Sequence, residues 1–131
     1  MKYLSDYMQD KQTEAFNNHG AFFAFSNKQY DEKAVKGVTY ASLGAGLIAP
    51  KDKAKQLIAD LDSISHAAMQ EDLSDNGIKA IIHRELANHE CQITMDYEDV
   101  VSKLAPYSIS REIIAAEWPE FWNICVENDY F

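Results

Sequence analysis

Residues 78–91 read IKAIIHRELANHEC, and this stretch decides the fold because it joins an apolar helical stripe to many polar side chains. A spacing of i, i+3, i+4 and i+7 places one set on a single helical face: Ile78, Ile81, Ile82, Glu85, Leu86 and His89. The pattern predicts a helix with this face buried against a core. Glu85 and His89 are four residues apart, so they can contact each other.

The polar members of this helix need partners. His83 and Glu90 lie on the adjoining face, with Leu86 between them. An unpaired buried carboxylate or imidazole costs about 1–3 kcal/mol or more. Either this face borders a polar cleft, or another part of the chain brings partners to it.

The length of 131 residues predicts one globular domain, residues 1–131, with a sizeable core. No window reaches the roughly 18 apolar residues of a membrane-spanning helix. The first residues, MKYLSDYMQDKQ, lack the apolar region of a secretory signal, so we expect a cytoplasmic protein without membrane association. Cys91 and Cys125 form no CxxC pair, which indicates reduced, partly buried thiols.

Charge is divided unevenly along the chain. Residues 1–56 hold eight lysines and six acids, whereas residues 57–131 hold four bases and fifteen acids. Nucleic-acid binding needs clusters of basic residues, so we expect none in the acidic part. The acidic surplus is compatible with solubility or with docking a basic protein surface.

The first half of the chain predicts two helices and a small sheet. An amphipathic helix begins near Tyr3 and is broken by Asn17, Asn18 and Gly20. The apolar run 21–25 is typical of a buried strand, and β-favouring residues continue over 38–48. Between them, Ser26 and Gln29 form a capping-box pattern that starts a helix ending near residue 35 or 36. The GxG of SLGAG indicates a glycine turn, because the full phosphate-binding motifs are absent.

The second half predicts at least three helices. Pro50 is placed near the first turn of a helix whose buried stripe comprises Ala54, Leu57, Ile58, Leu61, Ile64, Ser65 and Ala68. That helix ends before a new cap at Ser74 or Asp75, or else continues as one long kinked helix through the weak point at residues 76–77. Asp96 caps a further helix that stops at Pro106.

Ser110 caps the last helix, from Arg111 to about Glu127. Its predicted inner side comprises Ile113, Ile114, Glu117, Phe121, Ile124 and Cys125. Pro119 kinks or splits this helix. The predicted fold is therefore a mainly helical α+β domain with about five helices and a small two- or three-stranded antiparallel sheet.

The C-terminal segment is rich in aromatic residues: Trp118, Trp122, Tyr130 and Phe131. One interpretation is that this tail packs onto the domain. The other is an exposed aromatic patch that binds a partner or forms a homodimer.

Motifs for metal binding and catalysis are missing. HEXXH is absent, and Glu85 is followed at i+3 by Asn88 rather than by histidine. Cys91 lies near His89, but no third orienting group accompanies them. We therefore predict no metal, no cofactor and no catalytic residues.

Three segments in order, NNHGAFFAFSNKQYDE, YASLGAGLIAPKDKAKQL and HRELANHECQIT, resemble a group of small uncharacterised proteins encoded by phages and prophages. The resemblance covers most of residues 13–131. It implies an accessory gene of a phage or mobile element that acts inside a bacterial cell, and it supplies no catalytic residues. Small acidic phage proteins often bind a host protein, including components of host defence, which is an analogy at the level of class.

The same segments contain two amide-imidazole clusters at the ends of buried elements. One is Asn17, Asn18 and His19, and the other is Asn88, His89 and Glu90. We hypothesise that the two clusters meet. They then form either a buried structural network or a functional pocket lined by His19, His83, Glu85, His89 and Glu90.

The expected function is non-enzymatic binding of a host protein through an acidic surface. The residues proposed for the partner are Glu112, Glu117, Glu120, Trp118 and Trp122. The alternative is a small enzyme or ligand-binding domain with its pocket at the His19, His83, Glu85 and His89 cluster. A third possibility, DNA mimicry, requires carboxylates spaced like phosphates along one exposed strip.

Overall fold

The computed structural model describes residues 1–131. Six α-helices and three strands follow one another as α1 (Leu4–Asn18), β1 (Phe22–Phe23), α2 (Asn27–Lys33), β2 (Tyr40–Gly44), β3 (Leu47–Pro50), α3 (Ala54–Asn88), α4 (Cys91–Thr94), α5 (Glu98–Leu104) and α6 (Arg111–Asn128). The predicted fold class, a mainly helical α+β protein with a small antiparallel sheet, is confirmed. None of the helices is long and apolar enough to cross a membrane.

The chain divides into two compact units, residues 1–68 and residues 69–131. The boundary falls inside α3, where the sequence carries no glycine, proline or other loop signal. A single globular domain for residues 1–131 stays a prediction.

The first unit contains the sheet, with strand order β1-β3-β2 and antiparallel pairing throughout. Phe22 pairs with Ile48 in one ladder, and Ala41 pairs with Ala49 in the other. The turn between β2 and β3 has positive φ at Gly44, Ala45 and Gly46. The predicted glycine turn is therefore confirmed, and a Cβ at Gly46 would overlap the ring of Phe25.

The core of the first unit is small. It is built from four buried residues that come from α1, β3 and α3, namely Ala15, Ala49, Ala54 and Leu57. Partly buried apolar side chains surround them, including Phe16, Leu43, Leu47, Leu61 and Ile64. Three alanines in the centre allow the helices and the sheet to approach each other closely.

Three predicted elements of the first unit had wrong boundaries. The buried strand predicted over residues 21–25 is limited to Phe22–Phe23, and the Phe23 and Phe25 side chains are exposed. The helix that begins after Ser26 ends at Lys33, although Ser26 does accept a hydrogen bond from the Gln29 amide at 3.2 Å. Pro50 is the last residue of β3 and pairs with Tyr40, and it does not open a helix. A proline is tolerated there because β1 ends before it reaches Pro50, so no neighbouring strand needs its missing N–H.

The long helix α3 is interrupted at Gly77, which has φ 78° and ψ 162°. This conformation is essentially restricted to glycine. The predicted new cap at Ser74 or Asp75 was wrong, because both residues lie within the helix; the alternative of one long element with a break at residues 76–77 is the one observed.

The second unit packs the end of α3 against α5 and α6. Its fully or nearly fully buried apolar side chains are Ile81, Ile82, Leu86, Cys91, Val100, Leu104, Ile109, Ile114, Phe121 and Cys125. Both cysteines are free thiols, as predicted. Ser110 caps α6, accepting a hydrogen bond from the Ile113 amide at 3.3 Å, and α6 runs through Pro119 without being split.

Four residues predicted to face inward from helices are exposed, namely Ile58, Ile78, Ile113 and Ile124. Ile78 is the first residue after the Gly77 break, so its direction is not set by the helix that follows. Ile113 and Ile124 flank the buried stripe of α6, which is narrower than the periodicity suggested.

Candidate functional site

A buried ionic network lies at the centre of the second unit, around Arg84 of α3. Its Nη1 and Nη2 atoms donate to the two carboxylate oxygens of Asp72, each at 2.9 Å. Its Nε donates to Glu85 Oε1 at 3.0 Å. Asp72 and Glu85 have no exposed surface and Arg84 has 8%. The guanidinium is thus shared between two buried carboxylates in the forked geometry that arginine favours.

Asp72 also accepts hydrogen bonds from the Tyr107 hydroxyl at 2.6 Å and from Asn76 Nδ2 at 2.8 Å. Burial alone would raise the pKa of Asp72, but the bonds from Arg84, Tyr107 and Asn76 together more than offset it and lower that pKa. The pKa of the Tyr107 phenol is raised, first by burial and then by its bond to Asp72. Asp72 is therefore a carboxylate, and Tyr107 a neutral donor, across the physiological pH range.

The second carboxylate of the network, Glu85, has further partners. The Lys103 ammonium of α5 lies 2.9 Å from Glu85 Oε2. His89 Nε2 is 3.7 Å from the same oxygen, beyond normal hydrogen-bond length. The predicted contact between Glu85 and His89 is thus a secondary one, and Arg84 and Lys103 are the groups that compensate the buried charge.

The network requires the chain to reverse at Gly77. Asp72 and Arg84 are twelve residues apart, which is about 18 Å along a straight helix. Direct contact is possible only because the helix is broken between them. The ion pair between Asp72 and Arg84 therefore depends on the break at Gly77.

A second polar group joins α3 to α6. His83 Nε2 lies 2.9 Å from Glu117 Oε2, and Lys79 Nζ lies 2.6 Å from Glu120 Oε2. Hydrogen bonding to Lys79 lowers the pKa of Glu120, and the same bond raises the pKa of Lys79. One ligand atom from each of His83, Glu117 and Glu120 lies within 4.8 Å of the others, a set suited in type to a divalent cation. Lys79 already supplies a positive charge to this set.

The residues of the predicted polar cluster are divided between the two units. Asn17, Asn18 and His19 end α1 in the first unit, and His19 Nε2 is 2.6 Å from Asp60 Oδ2 of α3. The hydrogen bond with His19, followed by that from Gln56, lowers the pKa of Asp60. His19 and Asp60 also line a shallow cavity of about 370 Å³ with Lys11, Glu14 and Ser63.

The remaining residues of the cluster belong to the second unit. Asn88 is the last residue of α3, and Glu90 has a left-handed backbone with φ 51° where the chain turns into α4. His19 thus finds a partner, Asp60, within the first unit, whereas His89 Nε2 in the second unit is buried and has no hydrogen-bond partner. The hypothesis that Asn17, Asn18 and His19 meet Asn88, His89 and Glu90 stays a prediction.

Sequence patterns did not identify several residues of these networks, namely Asp72, Arg84, Lys103 and Tyr107. One sequence feature could have identified Arg84 as a partner, because it directly precedes Glu85, which was predicted to be buried. The other three come from elsewhere in the chain, and nothing in their local sequence points to Glu85 or Arg84.

The outer face of α6 carries a stripe of carboxylates. At about 100° per residue, Glu112, Glu120 and Glu127 lie within about 80° of one another, and all three are exposed. Among the residues predicted for a partner, Glu117 is turned toward His83 and Glu120 toward Lys79. We call Glu112, Glu120 and Glu127 the acidic stripe.

Aromatic side chains occupy a different side of α6, which we call the aromatic side. The Trp118 ring centroid lies 5.6 Å from that of Tyr97 and 6.2 Å from that of Trp122. Phe131 contacts Trp122 with a centroid distance of 5.3 Å, yet its side chain is more than half exposed, as is that of Tyr130. The tail thus packs onto α6 and still presents aromatic surface.

The net charge of the protein is carried by the second unit. Residues 1–68 hold eight bases and eight acids, whereas residues 69–131 hold four bases and thirteen acids, a net charge of −9. All four bases of the second unit, Lys79, Arg84, Lys103 and Arg111, already contact carboxylates within it. The lysines and arginines of this unit are therefore too few to neutralise its carboxylates, and a net negative charge of 9 remains.

Comparison with known proteins identifies the family of the chain but does not identify an activity. The model of a family of unknown function, DUF7659, matches residues 4–123. No curated protein and no solved structure is similar to the chain.

Proposed function

The chain belongs to the DUF7659 family of unknown function, and on its charge distribution we propose that it is a non-enzymatic binding protein that docks a basic protein surface through residues 69–131. The observation that best supports this proposal is that residues 69–131 hold the whole net charge of −9, while each of their four bases already forms an ion pair within the same unit. The excess negative charge of this unit is therefore available to cations on another molecule.

The acidic stripe is the part of this surface that we assign to the partner. Glu112 and Glu127 are exposed, and Glu120 shares its charge with Lys79. At about 100° per residue, the half-buried Trp122 lies about 80° from Glu112 and about 140–160° from Glu127 and Glu120, and the exposed Phe131 follows the end of the helix. We therefore assign the acidic stripe to lysines or arginines of the partner, and the aromatic side chains to a separate, apolar part of it.

The proposal includes the setting implied by the resemblance to phage and prophage proteins. In this proposal the protein is an accessory protein of a phage or mobile element that acts in the bacterial cytoplasm on a host protein, such as a component of host defence. A homodimer through the aromatic side of α6 is an alternative arrangement.

The test compares the wild-type protein with the double variant Glu112→Gln and Glu127→Gln. Tagged protein is used to retain partners from a bacterial lysate at low and moderate salt, and the retained protein is then purified and titrated directly. We expect the variant to bind about 2- to 30-fold more weakly at low salt, because each of the two exposed ion pairs contributes about 0.2–1 kcal/mol. The difference should shrink as salt screens the charges.

The matched control is Asp31→Asn with Glu32→Gln. Both residues are exposed on α2 in the first unit, so the variant makes the same change in total charge at another place. Equal weakening by the two double variants would show that only total charge matters and would refute the assignment to α6. A partner whose binding is independent of salt and of both variants would refute the acidic surface as a whole.

A further inference from the structure

Side chains of the types that bind metal ions face each other from α3 and α6 in the second unit. Lys79 and His83 are four residues apart on α3, and Glu117 and Glu120 are three apart on α6, so each pair lies on one face of its helix. His83 Nε2 is 2.9 Å from Glu117 Oε2, and Lys79 Nζ is 2.6 Å from Glu120 Oε2. We call His83, Glu117 and Glu120 the imidazole–carboxylate set.

The dimensions of the imidazole–carboxylate set are close to those of a metal site. One ligand atom from each residue lies within 4.8 Å of the other two. Nitrogen and oxygen ligands about 2.0–2.2 Å from a tetrahedral zinc ion lie about 3.3–3.6 Å from one another. The separations must therefore change by at most about 1.5 Å, which rotation of the half-exposed Glu120 side chain supplies.

Two of the three ligands are already held in place by packing. The His83 side chain is 18% exposed and that of Glu117 is 24% exposed. The His83 ring packs edge-on against Phe121, with a centroid distance of 6.0 Å. Ligands that packing has fixed lose little conformational freedom when an ion binds. The exposed Glu120 side leaves the set open to solvent, so that an ion can enter.

The composition of the set selects the class of ion. Magnesium and calcium prefer oxygen ligands alone, whereas imidazole is a good ligand for zinc, copper, iron and nickel. Two carboxylates and a neutral imidazole also compensate the charge of a divalent ion. Three protein ligands leave the fourth position of a tetrahedral ion to water.

Lys79 is the group that a metal ion must displace. Its ammonium contacts Glu120, but its side chain is 61% exposed. Exposed ion pairs of this kind are weak, and the long side chain can carry its charge into water. Lys79 therefore competes with the ion for Glu120, so removing it should strengthen metal binding.

From this arrangement we infer that His83, Glu117 and Glu120 form a binding site for a divalent transition-metal ion such as zinc. In the contact with Glu117, His83 Nε2 carries the proton, because a carboxylate can only accept. When the ion binds, Nε2 releases this proton to water and binds the metal, while Nδ1 takes up a proton from water, so the imidazole stays neutral. The ion then links α3 to α6.

The inference does not depend on the proposed protein-binding function. Glu120 belongs to the acidic stripe as well, but the stripe is tested at Glu112 and Glu127 and the metal site at His83 and Lys79. Failure of one proposal is therefore distinguishable from failure of the other.

The experiment titrates zinc chloride into the untagged full-length protein near neutral pH, followed by calorimetry. Magnesium chloride is the comparison, because this ion prefers oxygen ligands. We expect saturable binding of one zinc ion per chain and no saturable binding of magnesium at the same concentrations. Imidazole nitrogen NMR should show His83 Nε2 bound to metal and Nδ1 protonated, and zinc should raise the melting temperature.

A first pair of variants tests the imidazole ligand. His83→Gln should weaken zinc binding by more than about 100-fold, since loss of an outer partner of a ligand already costs about 10- to 100-fold. The matched control is His66→Gln, which removes an exposed imidazole elsewhere on α3 and should leave the affinity unchanged.

A second pair of variants tests the competing cation. Lys79→Met should strengthen zinc binding by about 1.5- to 5-fold, the range expected for loss of an exposed ion pair. The control Arg111→Met removes an exposed positive charge that contacts Glu98 in the same unit, and it should leave the affinity unchanged. Because Lys79 is exposed, this pair keeps the test valid if His83→Gln does not fold.

The inference is overturned if zinc does not bind saturably, or if folded His83→Gln binds zinc as tightly as the wild-type protein. Weaker binding by Lys79→Met would overturn the competition, and equal strengthening by Arg111→Met would show that total charge alone is responsible. Equal binding of magnesium and zinc would overturn the role of the imidazole.

Discussion

At the scale of single residues, the carboxylate of Asp72 is the main electrostatic anchor of the second unit. It accepts four hydrogen bonds, two from Arg84 and one each from Tyr107 and Asn76. Arg84 is held in turn between Asp72 and Glu85. Removing a single member of such a group leaves a buried charge uncompensated, whereas removing an exposed pair costs little.

Arg84→Met should therefore reduce the free energy of unfolding by about 3–5 kcal/mol, measured by urea denaturation. The control is Arg111→Met, which removes an exposed partner of Glu98 and should cost at most about 1 kcal/mol. Similar losses for the two variants would contradict the assignment of the buried network as the stronger one.

The same residue predicts a pH dependence. The pKa of Asp72 in the folded protein lies below its ordinary value of 3.8, so the carboxylate stabilises the fold above that value. The contribution is lost as pH falls through the lower, folded-state pKa. We expect Asp72→Asn to be less stable than wild type at pH 6, with the difference in unfolding free energy shrinking between pH 4 and pH 2. If the difference in unfolding free energy stayed constant across this range, protonation of Asp72 would not affect the stability of the fold.

At the scale of elements, the break in α3 determines which side chains meet. Residues 54–76 form one helical segment and residues 78–88 form another, with Gly77 between them in a conformation that other residues avoid. The reversal brings Arg84 back to Asp72, and it also leaves Glu85 facing Lys103 of α5. One glycine thus positions both buried carboxylates.

Gly77→Ala should destabilise the protein by about 1–3 kcal/mol, because alanine is strained at φ 78° and ψ 162°. The expected loss of stability does not come from a steric clash with neighbouring residues, since a Cβ at this position meets no atom within 4 Å. Ser74→Ala, an exposed change one turn earlier, serves as the control and should alter stability by less than about 0.5 kcal/mol. If Gly77→Ala were as stable as wild type, the break would not require glycine.

Sequence patterns predicted the elements better than the contacts. Ser110 and Ser26 were identified as caps because capping depends on residues three positions apart. The pairs His83–Glu117 and His19–Asp60 span 34 and 41 residues, and no local pattern encodes such distances. The candidate site could therefore be predicted as a set of polar residues, but their partners could not.

At the scale of the whole molecule, charge is the dominant feature. The first unit is neutral by residue count, and the second carries the net charge of −9. Like charges at this density oppose the compact state, and salt screens them over distances of about 10 Å at 0.1 M and about 3 Å at 1 M.

Raising sodium chloride from 0.02 to about 0.5 M should accordingly raise the melting temperature by a few degrees. Screening also weakens the exposed pairs Lys79–Glu120 and Arg111–Glu98, but such pairs contribute little. The measurement is a thermal melt followed by circular dichroism at several salt concentrations. A fall in melting temperature with salt would mean that attractive pairs outweigh repulsion in this molecule.

Composition and local patterns were enough to predict the fold class, the caps at Ser26 and Ser110, the glycine turn and the concentration of acids in the later part of the chain. These properties follow from composition and from patterns within a few residues. Only the tertiary structure decided that Arg84 compensates Asp72 and Glu85, and that His83 and Lys79 face the carboxylates of Glu117 and Glu120. The physical reason is that a buried polar group is satisfied by whichever partner the chain brings near it, and here Gly77 and the packing of α3 against α6 make that choice.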